Sequence, residues 1–94
     1  MARAMLFVFC YDIADNRVRR RVAAMLEQHG TRVQDSVFEV HATAPLAQKL
    51  MQALQRLRMA GDSLRMYCLT QDGRARSLAA GGAPIAEATE FWLL

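Results

Sequence analysis

Seven consecutive apolar residues, MLFVFCY at positions 5–11, end on a lone carboxylate, Asp12. A run this short, without polar alternation and rich in aromatic and branched residues, predicts a central β-strand covered on both faces. Such a strand demands neighbours in a sheet and a helix layer packed over it.

The remaining chain supplies both. Asp15 or Asn16 can cap a first helix and Gly30 suits its end, with Val18, Val22, Met25, Leu26 and His29 in one sector at about 100° per residue. Residues 31–42 are extended, but the alternation breaks: Val33 and Val37 share one parity, Phe38 and Val40 the other. A bulge or a sharp strand-to-strand turn is expected at Asp35 and Ser36. Thr43 then caps a second helix with Pro45 in its first turn; Leu46, Leu50, Ala53, Leu54 and Leu57 recur at helical spacing, and Gly61 ends it. Residues 64–69 form a further strand, 71–74 read as a turn through Asp72-Gly73, and 74–79 allow one more short strand.

This order, strand, helix, strand pair, helix, strand, is that of an α+β ferredoxin-like βαββαβ sandwich, with helices on one face of an antiparallel sheet. The chain of 94 residues has room for one domain, a core over 1–80 followed by a glycine-rich link and an apolar tail over 81–94. The tail ends EFWLL, a composition suited to a buried strand. A domain this small buries only roughly 60 to 70% of its unfolded surface, so packing against a second copy is expected.

Composition narrows the function classes. With 53% apolar and 22% charged residues the chain is globular rather than disordered. No apolar run approaches the ~20 residues of a membrane span, and the first ten residues lack the regions of a secretory signal, which predicts a cytoplasmic protein with no membrane partner. Cys10 and Cys68 lack C-x-x-C spacing and are expected to be reduced core thiols. The net charge is +3, and all but one of the 12 basic residues are arginine. Arginine forks match phosphate oxygens in pairs, so this bias leans toward nucleic acid.

Asp12 carries two readings. A carboxylate at the carboxyl end of a central strand stands at the sheet rim, where a hard cation such as Mg²⁺ can reach it; Asp12 or Asp15 could equally do no more than cap the first helix. Magnesium needs only one or two protein carboxylates, so two copies of Asp12 facing across a two-fold axis would share one ion. Beside it lie Arg17, Arg19, Arg20 and Arg21, spread around the helix. Arg17 falls in the first turn, where the helix dipole disfavours a cation and welcomes a phosphate. His29 and His41 lack an acid partner in sequence and read as structural, and neither G-x-x-x-x-G-K-[ST] nor G-x-G-x-x-G occurs.

Tyr11-Asp12 closing the first strand, arginines opening the first helix, and GTRVQDSVFEV over 30–40 together resemble the small CRISPR-associated endoribonuclease family, number two among the numbered CRISPR-associated proteins. DSLRMYCL over 62–69 looks like that family's penultimate strand region. The resemblance implies a homodimer whose C-terminal strand packs on the partner's sheet, and a metal-dependent nuclease on RNA or double-stranded DNA. It also implies a place between copies of the CRISPR integrase during spacer acquisition in antiviral defence. Carried onto matching positions, Asp12 is the Mg²⁺ ligand and Tyr11 its catalytic neighbour. Arg19, Arg21, Arg32 and Phe38 would support the site or contact nucleic acid; Arg17 and Arg20 are expected to join the nucleic-acid contacts and Ser36 the supporting residues. Two rival functions are a non-catalytic nucleic-acid scaffold and a ferredoxin-like small-ligand regulatory domain.

Overall fold

The computed structural model describes residues 3–85. Its elements are β1 (Ala4–Asp12), α1 (Asn16–Glu27), β2 (Thr31–Gln34), β3 (Val37–Thr43), α2 (Ala44–Gln55), β4 (Ser63–Leu69) and a short α3 (Gln71–Ala75). The four strands form one sheet in the order β2-β3-β1-β4, every neighbouring pair antiparallel. This is the α+β arrangement anticipated above, with the apolar β1 in an interior position. The expected C-terminal strand over 90–94 lies outside the described residues.

The sheet has two unlike faces, because strand alternation sorts side chains by parity. Phe7, Phe9 and Tyr11 of β1 and Phe38, Val40 and Ala42 of β3 point to the helix side and are buried. There they meet Val22, Ala23 and Leu26 of α1 and Ala47, Leu50 and Leu54 of α2 in one core. The other face carries Val8, Cys10, Val37, Glu39 and His41, all half-buried, with Arg65 and Tyr67 exposed on β4. Leu6 is the buried residue of that face, and it lines a groove with Val33, Leu69 and the segment 77–85.

Of the two alternatives expected at Asp35 and Ser36 the turn is present there, and a bulge lies just before it within β2. Asp35 and Ser36 make a two-residue turn, since Gln34 pairs with Val37, and the register shifts between Arg32 and Gln34, leaving Val33 as the bulged residue. Neither turn residue takes positive φ. Two-residue turns of that kind splay strands, and the bulge supplies local twist that the turn itself lacks. Gly30 is required by proximity rather than by φ. A Cβ there would stand 2.7 Å from Val40 Cγ2 and collide with the Glu39 carbonyl, so glycine lets the connection from α1 to β2 pass close against β3.

Three expectations are corrected. The second helix stops at Gln55 with Arg56 as its cap rather than running to Gly61; Gly61, at φ 87°, instead belongs to the turn into β4. Residues 71–75 are helical, where a turn and a short strand over 74–79 were expected. The reason is Thr70, whose hydroxyl accepts the Gly73 N–H at 3.0 Å and caps a helical turn, reinforced by Arg76 donating to Asp72 at 3.0 Å. Cys68 is exposed, not a core thiol, because among the described residues β4 is an edge strand only partly covered by α2; Cys10 is half-buried, and neither thiol forms a disulfide. Among the described residues no helix is long and apolar enough to cross a membrane.

Candidate metal and nucleic-acid site

At the carboxyl end of β1 the capping role falls to Asp15 rather than Asp12. Asp15 is the cap of α1: its carboxylate accepts the Val18 N–H at 2.9 Å. That bond, more than any other influence, holds the Asp15 carboxyl below its ordinary range. Asp12 is therefore not consumed by the helix. It is exposed, it pairs with Ser63 at the last rung of the β1–β4 ladder, and alternation directs it to the face opposite Tyr11.

Tyr11 and Asp12 thus serve different sides of the sheet. The Tyr11 ring lies in the core, 6% exposed, with its hydroxyl donating to the Asp35 carbonyl at 3.2 Å. Its backbone N–H donates to the Ser36 carbonyl at 3.2 Å, so the β2–β3 turn is tied to the strand end by both groups of one residue. Burial pushes the Tyr11 phenol up, against the lowering pull of the Arg32 and Arg19 guanidinium groups. The phenol is consequently protonated at neutral pH and acts as a hydrogen-bond donor.

Phe38, fully buried, stacks on Tyr11 with ring centroids 6.4 Å apart. Arg32 lies over the Phe38 ring, 5.1 Å from its centroid, and pairs with Glu27 at 3.2 Å. Arg32 and Phe38 are directly opposed in the β2–β3 ladder, which is why a residue of an exposed strand reaches this ring. The Arg32 side chain remains 42% exposed, so its guanidinium is anchored yet still open to an anion.

The arginines of α1 divide into two kinds. Arg19 turns inward along the helix start: it donates to the Ile13 carbonyl at 2.8 Å, to the Ala14 carbonyl at 3.4 Å and to the Asn16 side chain. It is a brace for the loop after Asp12. Arg17, Arg20 and Arg21 are exposed, with Arg20 donating to the Asn16 carbonyl at 3.3 Å. The structure gathers Ser36, Phe38 and Arg32 around Tyr11, on the face opposite Asp12, and sets Arg19 on the loop that follows Asp12, whereas the other three arginines are exposed on α1.

Among the described residues no group of three or more His, Cys, Asp or Glu side chains could hold a metal ion. A single chain therefore has, among its described residues, no all-protein cage for a hard cation. One residue of this region escaped sequence reasoning. Asp62 accepts the Met59 N–H at 2.9 Å and the Ala14 N–H at 3.3 Å, joining the turn before β4 to the loop after β1. Its signal was the Gly-Asp pair at 61–62, a turn-forming combination in which the aspartate side chain bonds nearby backbone.

Residues 5–76 match the model of the CRISPR-associated protein Cas2 family. A CRISPR-associated endoribonuclease Cas2 of Synechocystis sp. is 35% identical over 94 residues, covering 94% of this chain and 97% of that one. In structure the chain is similar to Streptococcus pyogenes Cas2, with a TM-score of 0.71 at 28% identity over 82% of this chain and all of that one. It is similar as well to a chain of a partial Cas6-RT-Cas1–Cas2 complex, with a TM-score of 0.66 at 31% identity over 88% of this chain and 92% of that one. A family match over most of the length, a relative this similar from end to end, and a shared fold agree: the chain belongs to the CRISPR-associated Cas2 family.

Proposed function

We propose that this protein is a homodimeric adaptation protein of a CRISPR system, which binds nucleic acid together with integrase subunits and carries an Asp12-dependent endonuclease activity on RNA or double-stranded DNA. The observation that carries the proposal is Asp12 itself: exposed at the end of an interior strand while Asp15 does the capping. Asp12 shares its face with Val8 and Cys10, so a two-fold contact made through that face turns two copies of Asp12 toward each other. The membership of a similar chain in a Cas1–Cas2 complex supports the integrase partner.

In this reading a Mg²⁺ ion held by the Asp12 pair supplies Lewis-acid charge for phosphodiester hydrolysis. The chain's own residues orient that pair. Arg19 holds the loop after Asp12, Tyr11 and Phe38 lock the strand end to the β2–β3 turn, and Arg32 presents a fixed guanidinium to phosphate. Arg17, Arg20 and Arg21 supply long-range attraction to the nucleic-acid backbone.

The test compares wild-type protein with Asp12→Ala, both freed of contaminating nuclease, on RNA and on double-stranded DNA. Loss of cleavage with retained binding is expected; equal cleavage by both would end the catalytic part. The scaffold part rests on the exposed arginines of α1, which predict binding that weakens steeply with salt. In Arg17→Ala with Arg21→Ala the slope should become shallower by about one unit for each phosphate no longer neutralised. Binding indifferent to salt would remove it.

A further inference from the structure

Residues 13–15, between β1 and α1, belong to no regular element, yet this segment follows the one carboxylate on which the proposed chemistry depends. Its backbone is gripped from two directions. Arg19 donates to the Ile13 carbonyl at 2.8 Å and to the Ala14 carbonyl at 3.4 Å. From the opposite direction comes a carboxylate: Asp62 Oδ1 accepts the Ala14 N–H at 3.3 Å while Oδ2 accepts the Met59 N–H at 2.9 Å. The Asp62 turn is closed on itself as well, by the Asp62 N–H to the Met59 carbonyl at 3.0 Å and by Arg58 to the Asp62 carbonyl at 3.3 Å. Ile13, 4% exposed, pins the start of the segment into the core.

We infer that Asp62 is a positioning residue for Asp12, a carboxylate clamp that locks the loop after β1 against the turn before β4. The inference rests on the proposed role of Asp12. The register explains why these two turns meet: Asp12 pairs with Ser63, so the chain leaving β1 and the chain entering β4 emerge side by side at the same rim. One carboxylate with two acceptor oxygens can hold one donor from each turn, whereas a side-chain amide has a single acceptor oxygen to offer. Without the clamp, Asp12 stays on its strand but the backbone beyond it loses a fixed partner, and its carboxylate samples more positions than catalysis tolerates. Asp62 touches no reacting atom.

The clamp is tested in the intact protein with Asp62→Ala and, should that variant fold poorly, Asp62→Asn, which keeps one acceptor oxygen. Backbone hydrogen exchange is read by NMR at Ala14 and Met59 and at the core residues Phe9 and Leu54. Exchange at Ala14 and Met59 is expected to accelerate about tenfold in Asp62→Ala, as a charge-assisted bond to each is removed, with the core amides unchanged. Unchanged exchange at Ala14, or acceleration of all four amides together, would overturn the inference. Cleavage kinetics supply the second readout: kcat should fall several-fold at unchanged KM, with Asp62→Asn in between, whereas a shift in KM alone would count against a role in positioning. If Asp12→Ala cleaves as well as wild type, the catalytic reading fails by itself, and the exchange measurement still decides whether Asp62 holds the loop.

Discussion

The two faces of the sheet are built from the same strands and serve opposite ends. On the helix side β1 and β3 contribute Phe7, Phe9, Tyr11, Phe38, Val40 and Ala42, every one buried within the chain's own core. On the other side the intervening residues Val8, Cys10, Val37, Glu39 and His41 are half-covered, and Tyr67 is 50% exposed. Among the described residues one face is closed over by the chain's own helices, and the other stays partly open. Apolar strand residues left half-covered cost little in a small domain if a second copy covers them, and domains of this size need that extra burial most. Alternate residues of one strand thus divide between a closed core and a partly open surface.

The comparison breaks most visibly at Phe9. It is fully buried at the centre of the helix face, so Phe9→Ala should lower unfolding free energy by about 3–5 kcal/mol, measured by denaturant titration. A loss below about 1 kcal/mol would mean the helix face is not where stability is stored.

A smaller effect is expected at Tyr11, whose hydroxyl belongs to the helix face while its backbone serves the rim. Tyr11→Phe removes one hydrogen bond and should cost about 0.5–1.5 kcal/mol. The pH dependence has a definite sign. Because burial raises the phenol above its unfolded value near ~10, the folded state holds the proton more tightly. That contribution is fully present below pH ~10 and is lost as pH rises through the folded value. Alkaline unfolding curves of Tyr11→Phe should therefore lose part of their pH dependence; identical alkaline limbs in both proteins would contradict the assignment.

Tyr67 should show the smallest change in intrinsic stability and the sharpest change in association. It stands exposed on the open face with Arg65 donating to its hydroxyl at 2.9 Å. Tyr67→Ala is expected to alter the unfolding of the isolated chain by no more than about 0.5 kcal/mol. Sedimentation over a range of concentrations should show a weakened dimer. A stability loss as large as that of Phe9→Ala would erase the distinction between the faces.

Much of this was legible in the sequence, for local reasons. The run at 5–11 has no polar interruption, so its strand was plain; Thr43 with Pro45, and Asp15 three residues before Val18, are caps whose chemistry is complete within one turn of helix. The broken alternation at 33–38 likewise announced the turn at Asp35 and Ser36, though not that a bulge at Val33 accompanies it. Errors came where local signals compete. Asp72-Gly73 reads as a hairpin turn until Thr70 is seen to cap the same residues, and Gly61 reads as a helix end although α2 stops six residues earlier. At the candidate site, Asp12 and the arginines were visible as residue types, but their division of labour was not. That Arg19 braces a loop, that Arg32 lies on Phe38, and that Asp62 reaches Ala14 across 48 positions are outcomes of the strand register, which no short window of sequence contains.

The bulge at Val33 bears on how such a sheet avoids growing without limit. Among the described residues the sheet has two borders, β2 and β4, and a sheet border is where a further extended chain can pair. On β2 the register shift between Arg32 and Gln34 twists a strand of only 4 residues, leaving no regular template for another strand to copy. Along β4 the ladder with β1 runs unbroken from Ser63 to Leu69. Among the described residues the short, irregular border is thus the poorer template for a further strand, and β4 the better one.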